Sequence, residues 1–222
     1  MATRAARLKP STADSPWRPS ADRARQREIK RDAVILAAAR AFRQRGYHNT
    51  SVDDLASILN VTKPTIYHYL ENKEEILFEC FRTGLDQIRG AFDEIRGSQE
   101  SGLARLTAVI RRYAQAISSE FGWCMVRAED QDLSPVMSRR VNALKKEIDQ
   151  GLRRLIEEGI ADGSIRRCDP KITAFALAGA VNWVAHWHRA DAELTPEQIA
   201  DRFIEVFVDG LMPRSGGKTP AR

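Results

Sequence analysis

Apolar side chains recur at helical spacing along most of this chain. Ile35, Ala38, Ala39 and Phe42 lie three, four and seven positions apart, in a stretch without Gly or Pro that runs from about Ala21 to Gly46. One face of a first helix is therefore apolar, and Gly46 supplies its stop. A second, shorter stripe of Val52, Leu55, Ala56 and Leu59 follows the hydroxyls of Thr50 and Ser51 and carries Asp53 and Asp54 in its first turn, the composition of a capped helix start. Asn60 then stands where a tight helix–helix turn needs the left-handed backbone, which Asn tolerates. Thr62 is placed to cap another short helix, Lys63 to Tyr69, with Ile66 and Leu70 inward. Ala56, being small, lets the two short helices cross closely, as a helix-turn-helix requires.

Downstream, helix starts are marked by a capping side chain before a proline: Ser134-Pro135, Asp169-Pro170 and Thr195-Pro196, the last with Gln198 completing a capping box. They delimit helices of Pro135 to Asp162, Pro170 to Arg189 and Pro196 to Leu211, with two more near Lys73 to Arg96 and Ser101 to Phe121. No segment alternates as a strand between turn signals. The expected fold is all-α: a flexible basic arm over 1–20, rich in Pro and Ser, a three-helix helix-turn-helix domain over 21–72, a helical body over 73–212 and a flexible tail over 213–222.

Composition narrows the function. With 43% hydrophobic and 29% charged residues among 222, the chain can bury a core and is not of the disordered class. No apolar run approaches the roughly 20 residues of a membrane span, and Met1-Ala-Thr-Arg4 does not begin a secretory signal, so a cytoplasmic location without a membrane partner is expected. Cys80, Cys124 and Cys168 are odd in number and far apart, which suggests buried thiols rather than a disulfide framework or zinc site. HExxH, GxSxG, P-loop and GxGxxG patterns are missing and the four histidines lack metal-ligand spacing, so neither catalysis, a cofactor nor a metal is expected. Charge is uneven. Residues 1–50 hold twelve Lys or Arg against four acids, a net of +8, which leaves −3 for the remainder within a total of +5. A basic end on a slightly acidic body suits a polyanionic partner.

The outward face of the second short helix presents Lys63, Thr65, Tyr67 and His68, with Lys73 just beyond. These are donors for phosphates and base edges on an element narrow enough for a major groove about 12 Å wide. Thr50 and Ser51 are expected to aim hydroxyls and helix N-terminal amides at phosphate.

The run from Thr50 to Leu77, with Ile35-Leu-Ala-Ala-Ala-Arg-Ala-Phe42 and Gly46-Tyr47 before it, resembles the DNA-binding domain of TetR-family repressors over about residues 28 to 80. Asn60 replaces the usual turn glycine and Pro64 stands where glycine is common. The resemblance implies that Lys63, Thr65, Tyr67, His68 and Lys73 touch double-stranded operator DNA. It implies further that the protein is a homodimer on a palindromic site, joined through its last two helices. Ile199, Phe203, Val206, Phe207 and Gly210 fall at helical spacing for such a seam, and the preceding helix is rich in Ala and Gly, which allows close approach.

The segment Asn182-Trp183 to Trp187-His188-Arg189 also resembles, more weakly, the matching helix of TetR-like regulators of fatty-acid, steroid and aromatic-acid catabolism, which respond to acyl-CoA thioesters. An apolar pocket with Arg at its mouth suits a greasy acyl chain on an anionic nucleotide handle. The candidate ligand residues are Trp123, Met125, Arg127, Met137, Trp183, His186, Trp187 and Arg189, although two tryptophans four apart serve equally as core or dimer packing. An apolar drug or natural product, with control of efflux, is the alternative effector. A nonspecific DNA binder is the different-class alternative, and about 140 residues beyond the helix-turn-helix argue against it.

Overall fold

A computed structural model of the protein describes residues 20–128, 132–188 and 193–212. Among these the regular structure is nine helices and no strand: α1 (Ser20–Arg45), α2 (Val52–Ile58), α3 (Lys63–Tyr67), α4 (Lys73–Glu94), α5 (Gly102–Ser118), α6 (Gly122–Arg127), α7 (Pro135–Ala161), α8 (Pro170–Trp187) and α9 (Pro196–Leu211). The all-α expectation therefore holds. Arg189, most of the N-terminal arm and the tail over 213–222 lie outside the described residues.

Local sequence accounts for the helix ends. Ser51, Asn72, Ser101, Ser134, Asp169 and Thr195 each accept a hydrogen bond from a first-turn N–H of the helix they precede, satisfying donors that have no intrahelical partner. Thr62 departs from expectation. It occupies the cap position of α3 without a side-chain cap, because its hydroxyl pairs with the Thr65 hydroxyl at 2.8 Å.

The head, α1 to α3, closes on Ile35, Ala38, Phe42, Leu55, Ile66 and Leu70, all buried. α4 carries the same core onward through Ile76, Leu77 and Cys80 into the body, where α5 packs against α4, α7, α8 and α9. Helix α6 was not expected from the sequence. It has six residues, starts after Phe121 with no side-chain cap, and turns off α5 at Gly122, where a Cβ would fall 1.7 Å from the Ile117 carbonyl oxygen. Only glycine fits that corner.

Candidate nucleic-acid interface and ligand cavity

The turn between α2 and α3 has the expected geometry: Asn60 sits at φ 52°, and Val61 donates its N–H to the Ala56 carbonyl at 3.0 Å. With Ile66 fully buried, Thr65, Tyr67 and His68 stand exposed on the opposite face of α3. Lys63 lies half-buried beside them, its ammonium 2.8 Å from the Asp53 carboxylate, which raises its pKa. Lys73 opens α4 with its ammonium 4.1 Å from the centre of the Tyr47 ring. Burial lowers its pKa, against the attraction of Asp132 and Asp54, so this lysine is partly held by the fold. Ser51 is exposed. The Asp54 N–H donates to Ser51 Oγ at 3.1 Å, while the Ser51 hydroxyl and N–H donate to the Asp54 carboxylate at 2.6 and 2.7 Å and hold that carboxyl below its ordinary pKa.

Thr50 corrects the sequence reading. Its side chain is fully buried, its hydroxyl donates to the Gly46 carbonyl at 2.9 Å, and its N–H donates to the Tyr47 carbonyl at 3.2 Å. Both donors are spent on closing the loop after α1, so Thr50 shapes the interface without facing a phosphate.

The head is tied to the body by polar contacts on several sides of α1 and α4. Glu79, nearly buried, takes Arg31 from α1 at 2.9 Å and Arg82 at 2.7 Å. Arg40 reaches Glu120 at 3.1 Å. His48 lies 2.6 Å from Asp132, and the Ser134 N–H donates to Glu74 at 2.5 Å. These contacts connect α4 and the segment before α7 to α1 and the loop that follows it.

Within the body, a cavity of about 340 Å³ is enclosed by α4, α5, α6, α7 and α8. Its wall is largely apolar, from Leu85, Ile88, Ile117, Met125, Ile148 and Leu152 among others, with Tyr113 and Asn182 where α5 meets α8 and Lys145 and Asp149 on α7. Phe175, half in solvent, stands at the opening, with Arg153 5.3 Å and Lys171 6.0 Å from its ring centre. Burial pushes the pKa of Tyr113 up to about 12, against the opposing effect of the neighbouring Asn182 side chain. Met125 fits beside α4 only because residue 84 is glycine, where a Cβ would lie 2.6 Å from the Met125 sulfur.

Of the expected ligand residues that the structure describes, only Met125 lines this cavity. Trp123 and Met137 are half-buried against the core elsewhere, and Arg127 is exposed. Trp183, 62% exposed, stacks on His186 at 4.4 Å and faces solvent. Trp187 belongs to an apolar depression with Leu194, Ile199, Phe203 and Val206. The reason is helical phase. Ala174, Leu177, Val181 and Val184 form the buried stripe of α8, so Trp183 and Trp187 project from the other side with Ile172 and Phe175. On α9, Ile199 and Ile204 are buried within the chain while Val206 is 69% exposed. The cavity residues that the sequence reading missed are chiefly Tyr113, Lys145, Phe175 and Asn182. Asn182, a polar residue beside the buried stripe of an otherwise apolar helix, was the one available signal.

Residues 34–80 match the family model of bacterial regulatory proteins of the tetR family. Residues 99–211, just over half the chain, match that of the tetracyclin repressor-like C-terminal domain. The chain belongs to the TetR family. Like other TetR-family members it is a DNA-binding transcriptional regulator with a helical C-terminal domain. It is 28% identical to the HTH-type transcriptional repressor KstR2 of Rhodococcus jostii, across 87% of this chain and 96% of that protein. AibR, whose crystal structure contains isovaleryl coenzyme A and operator DNA, superposes with a TM-score of 0.69 at 28% identity, over 79% of this chain and 96% of AibR. KstR2 of Mycobacterium tuberculosis shares the fold with a TM-score of 0.75 at 22% identity, over 83% and 96% of the two chains. No helix among the described residues is long and apolar enough to cross a membrane, and none of their His, Cys, Asp and Glu side chains gather as a metal site.

Proposed function

We propose that this TetR-family regulator is a cytoplasmic repressor that binds a palindromic operator as a homodimer and is released by an acyl-CoA thioester. The observation that carries the effector reading is the cavity: an apolar interior for an acyl chain, with Lys145 on its wall and Arg153 and Lys171 beside Phe175. An apolar body with a polyanionic handle matches that polarity, and the similarity to AibR supports it. The handle residues are thus on α7 and α8, in place of Arg127 and Arg189. The exposed apolar face of Ile172, Trp183, Trp187 and Val206 on α8 and α9 is the surface for the second copy. Two head domains related by a two-fold axis then meet half-sites about one helical turn apart, through Lys63, Thr65, Tyr67, His68, Ser51 and Lys73.

For release, the ligand must bind the DNA-free arrangement more tightly than the DNA-bound one. Leu85 and Ile88 of α4 line the cavity, while Glu79 and Cys80 of the same helix hold α1 through Arg31 and the Ile35 carbonyl. A ligand that shifts α4 therefore displaces the recognition helices. Titration of the protein–operator complex with medium-chain acyl-CoAs and the matched free acids tests this. The thioesters are expected to release DNA at concentrations at least about tenfold below those of the acids, since each tenfold costs about 1.4 kcal/mol of handle contacts. Release by a neutral apolar compound, where no thioester acts, would replace acyl-CoA by a drug-like effector.

A further inference from the structure

The cavity is not uniformly greasy. Tyr113 comes from the central helix α5 and is 93% buried; Asn182 comes from α8, and the two side chains meet at the cavity wall. A phenol offers one O–H and a primary amide two N–H donors. The contact between the two side chains engages one of these three protons. At least one donor is therefore left toward the cavity, surrounded by Leu85, Ile88, Ile117 and Leu152. A donor buried without an acceptor is costly, and a purely hydrocarbon ligand would seal it off from water.

Charge argues against a carboxylate as its partner. Arg153 and Lys171 stand beside Phe175, Lys145 lines the wall with its ammonium 5.4 Å from the centre of the Phe81 ring, and Tyr113 and Asn182 are neutral. A neutral acceptor meets the pair without the desolvation cost that an ion would bring to it. Volume sets the scale of the buried part. At about 30 Å³ per water-sized group, a cavity of about 340 Å³ holds roughly ten non-hydrogen atoms.

We propose that the Tyr113–Asn182 pair selects effectors whose buried portion, of roughly ten non-hydrogen atoms, carries one uncharged oxygen acceptor such as a ketone or hydroxyl. This rests on the cavity being the effector site of the proposed function, and it narrows the effector from any acyl chain to one that carries an oxygen beyond the thioester carbonyl. The alternative role for the pair is to pin α5 to α8, in which case all ligands would respond alike to its removal.

The test uses two ligand sets on the full chain: decanoyl-CoA against its 3-oxo and 10-hydroxy derivatives, and the CoA-free pair butylbenzene and 1-phenylbutan-2-one. Binding is read by calorimetry and operator release by fluorescence anisotropy, for wild type, Tyr113→Phe and Asn182→Leu. The expected result is a wild-type preference of roughly tenfold for an oxygenated member, one ordinary hydrogen bond. Either substitution should erase that preference while affinity for the unsubstituted member, decanoyl-CoA or butylbenzene, stays level or rises. A wild type without preference, or a preference that survives both substitutions, overturns the proposal. The wild-type comparison needs no variant to fold, and Tyr113→Phe removes a single oxygen. If the ketone is preferred through the pair but no thioester binds, the acyl-CoA reading fails and the oxygen selection stands.

Discussion

In the head, Ser51, Lys63, Thr65, Tyr67 and His68 lie within a short stretch of sequence, on or beside two short helices, and all but the half-buried Lys63 are exposed. In the body, the side chains around the cavity come from five helices, between Leu85 and Asn182, and face one another. In the proposed function the first arrangement reads a large rigid polyanion, which needs only a convex element with donors on one side. The second would enclose a small molecule, which needs distant parts of the chain to leave a gap. The same core joins them through α4, so the gap and the convex face are mechanically connected although they share no residue.

The largest expected effect separates the two regions by their response to salt. A pair of heads neutralising about six to ten phosphates should lose about 10³- to 10⁵-fold in operator affinity between about 50 and 200 mM salt. Within that, Lys63→Ala or Thr65→Ala should change preference at particular base pairs by about 1–3 kcal/mol wherever the side chain reaches a base edge. Anisotropy titrations over salt and operator variants measure both. An affinity indifferent to salt and to sequence would remove the head from the account, while leaving the cavity untouched.

The contrast also explains what could be read from sequence. Helix-turn-helix signals are local: Ser51 caps within three residues, Asn60 marks a left-handed turn, and Ile66 and Leu70 keep one face of α3 inward. Thr50 was misassigned because a hydroxyl before a helix looks the same whether it points out or in, and here it closes on Gly46. In the body, Ser134, Asp169 and Thr195 marked their helices, but α6 has no cap and is set by the space at Gly122. Which side of α8 turns inward depends on α5 and α7, so Trp183 and Trp187 drew attention to the exposed face while Asn182 lay at the cavity. A cavity is an absence created by tertiary packing, and spacing along one helix does not encode it.

A middle-sized effect sharpens the comparison from the other side. Ala178 lines the cavity and is half-buried, so Ala178→Phe directs its bulk into open space rather than into packed core. Operator affinity and Tm should stay near those of the wild type. A ligand entering the filled cavity meets overpacking of about 1–3 kcal/mol, which raises the effector concentration needed for release by roughly 5- to 150-fold. Unaltered release by the folded variant, measured on the protein–operator complex, would mean that the effector binds elsewhere, with the Trp187 depression on α8 and α9 the next place to look.

The smallest effect distinguishes two neighbouring hydroxyls that look alike in sequence. Thr50→Val keeps the shape of the side chain but removes the donor to the Gly46 carbonyl, a loss of about 0.5–1.5 kcal/mol, or roughly 2–4 °C in Tm per kcal/mol for a chain of this size. Ser51→Ala removes an N-cap, about 0.5–2 kcal/mol, and so lowers Tm by a similar amount. Thermal melts alone cannot tell them apart, but operator binding well below Tm does. Ser51 is exposed at the start of α2, where a phosphate can approach the helix amides, so its replacement should weaken binding about equally for all operator variants while, being uncharged, barely altering the salt slope. Thr50 is fully buried, so its replacement should leave both unchanged in the folded fraction. The reverse pattern, with binding sensitive at Thr50 and insensitive at Ser51, would show that the loop after α1 opens on DNA and presents the buried hydroxyl to the backbone.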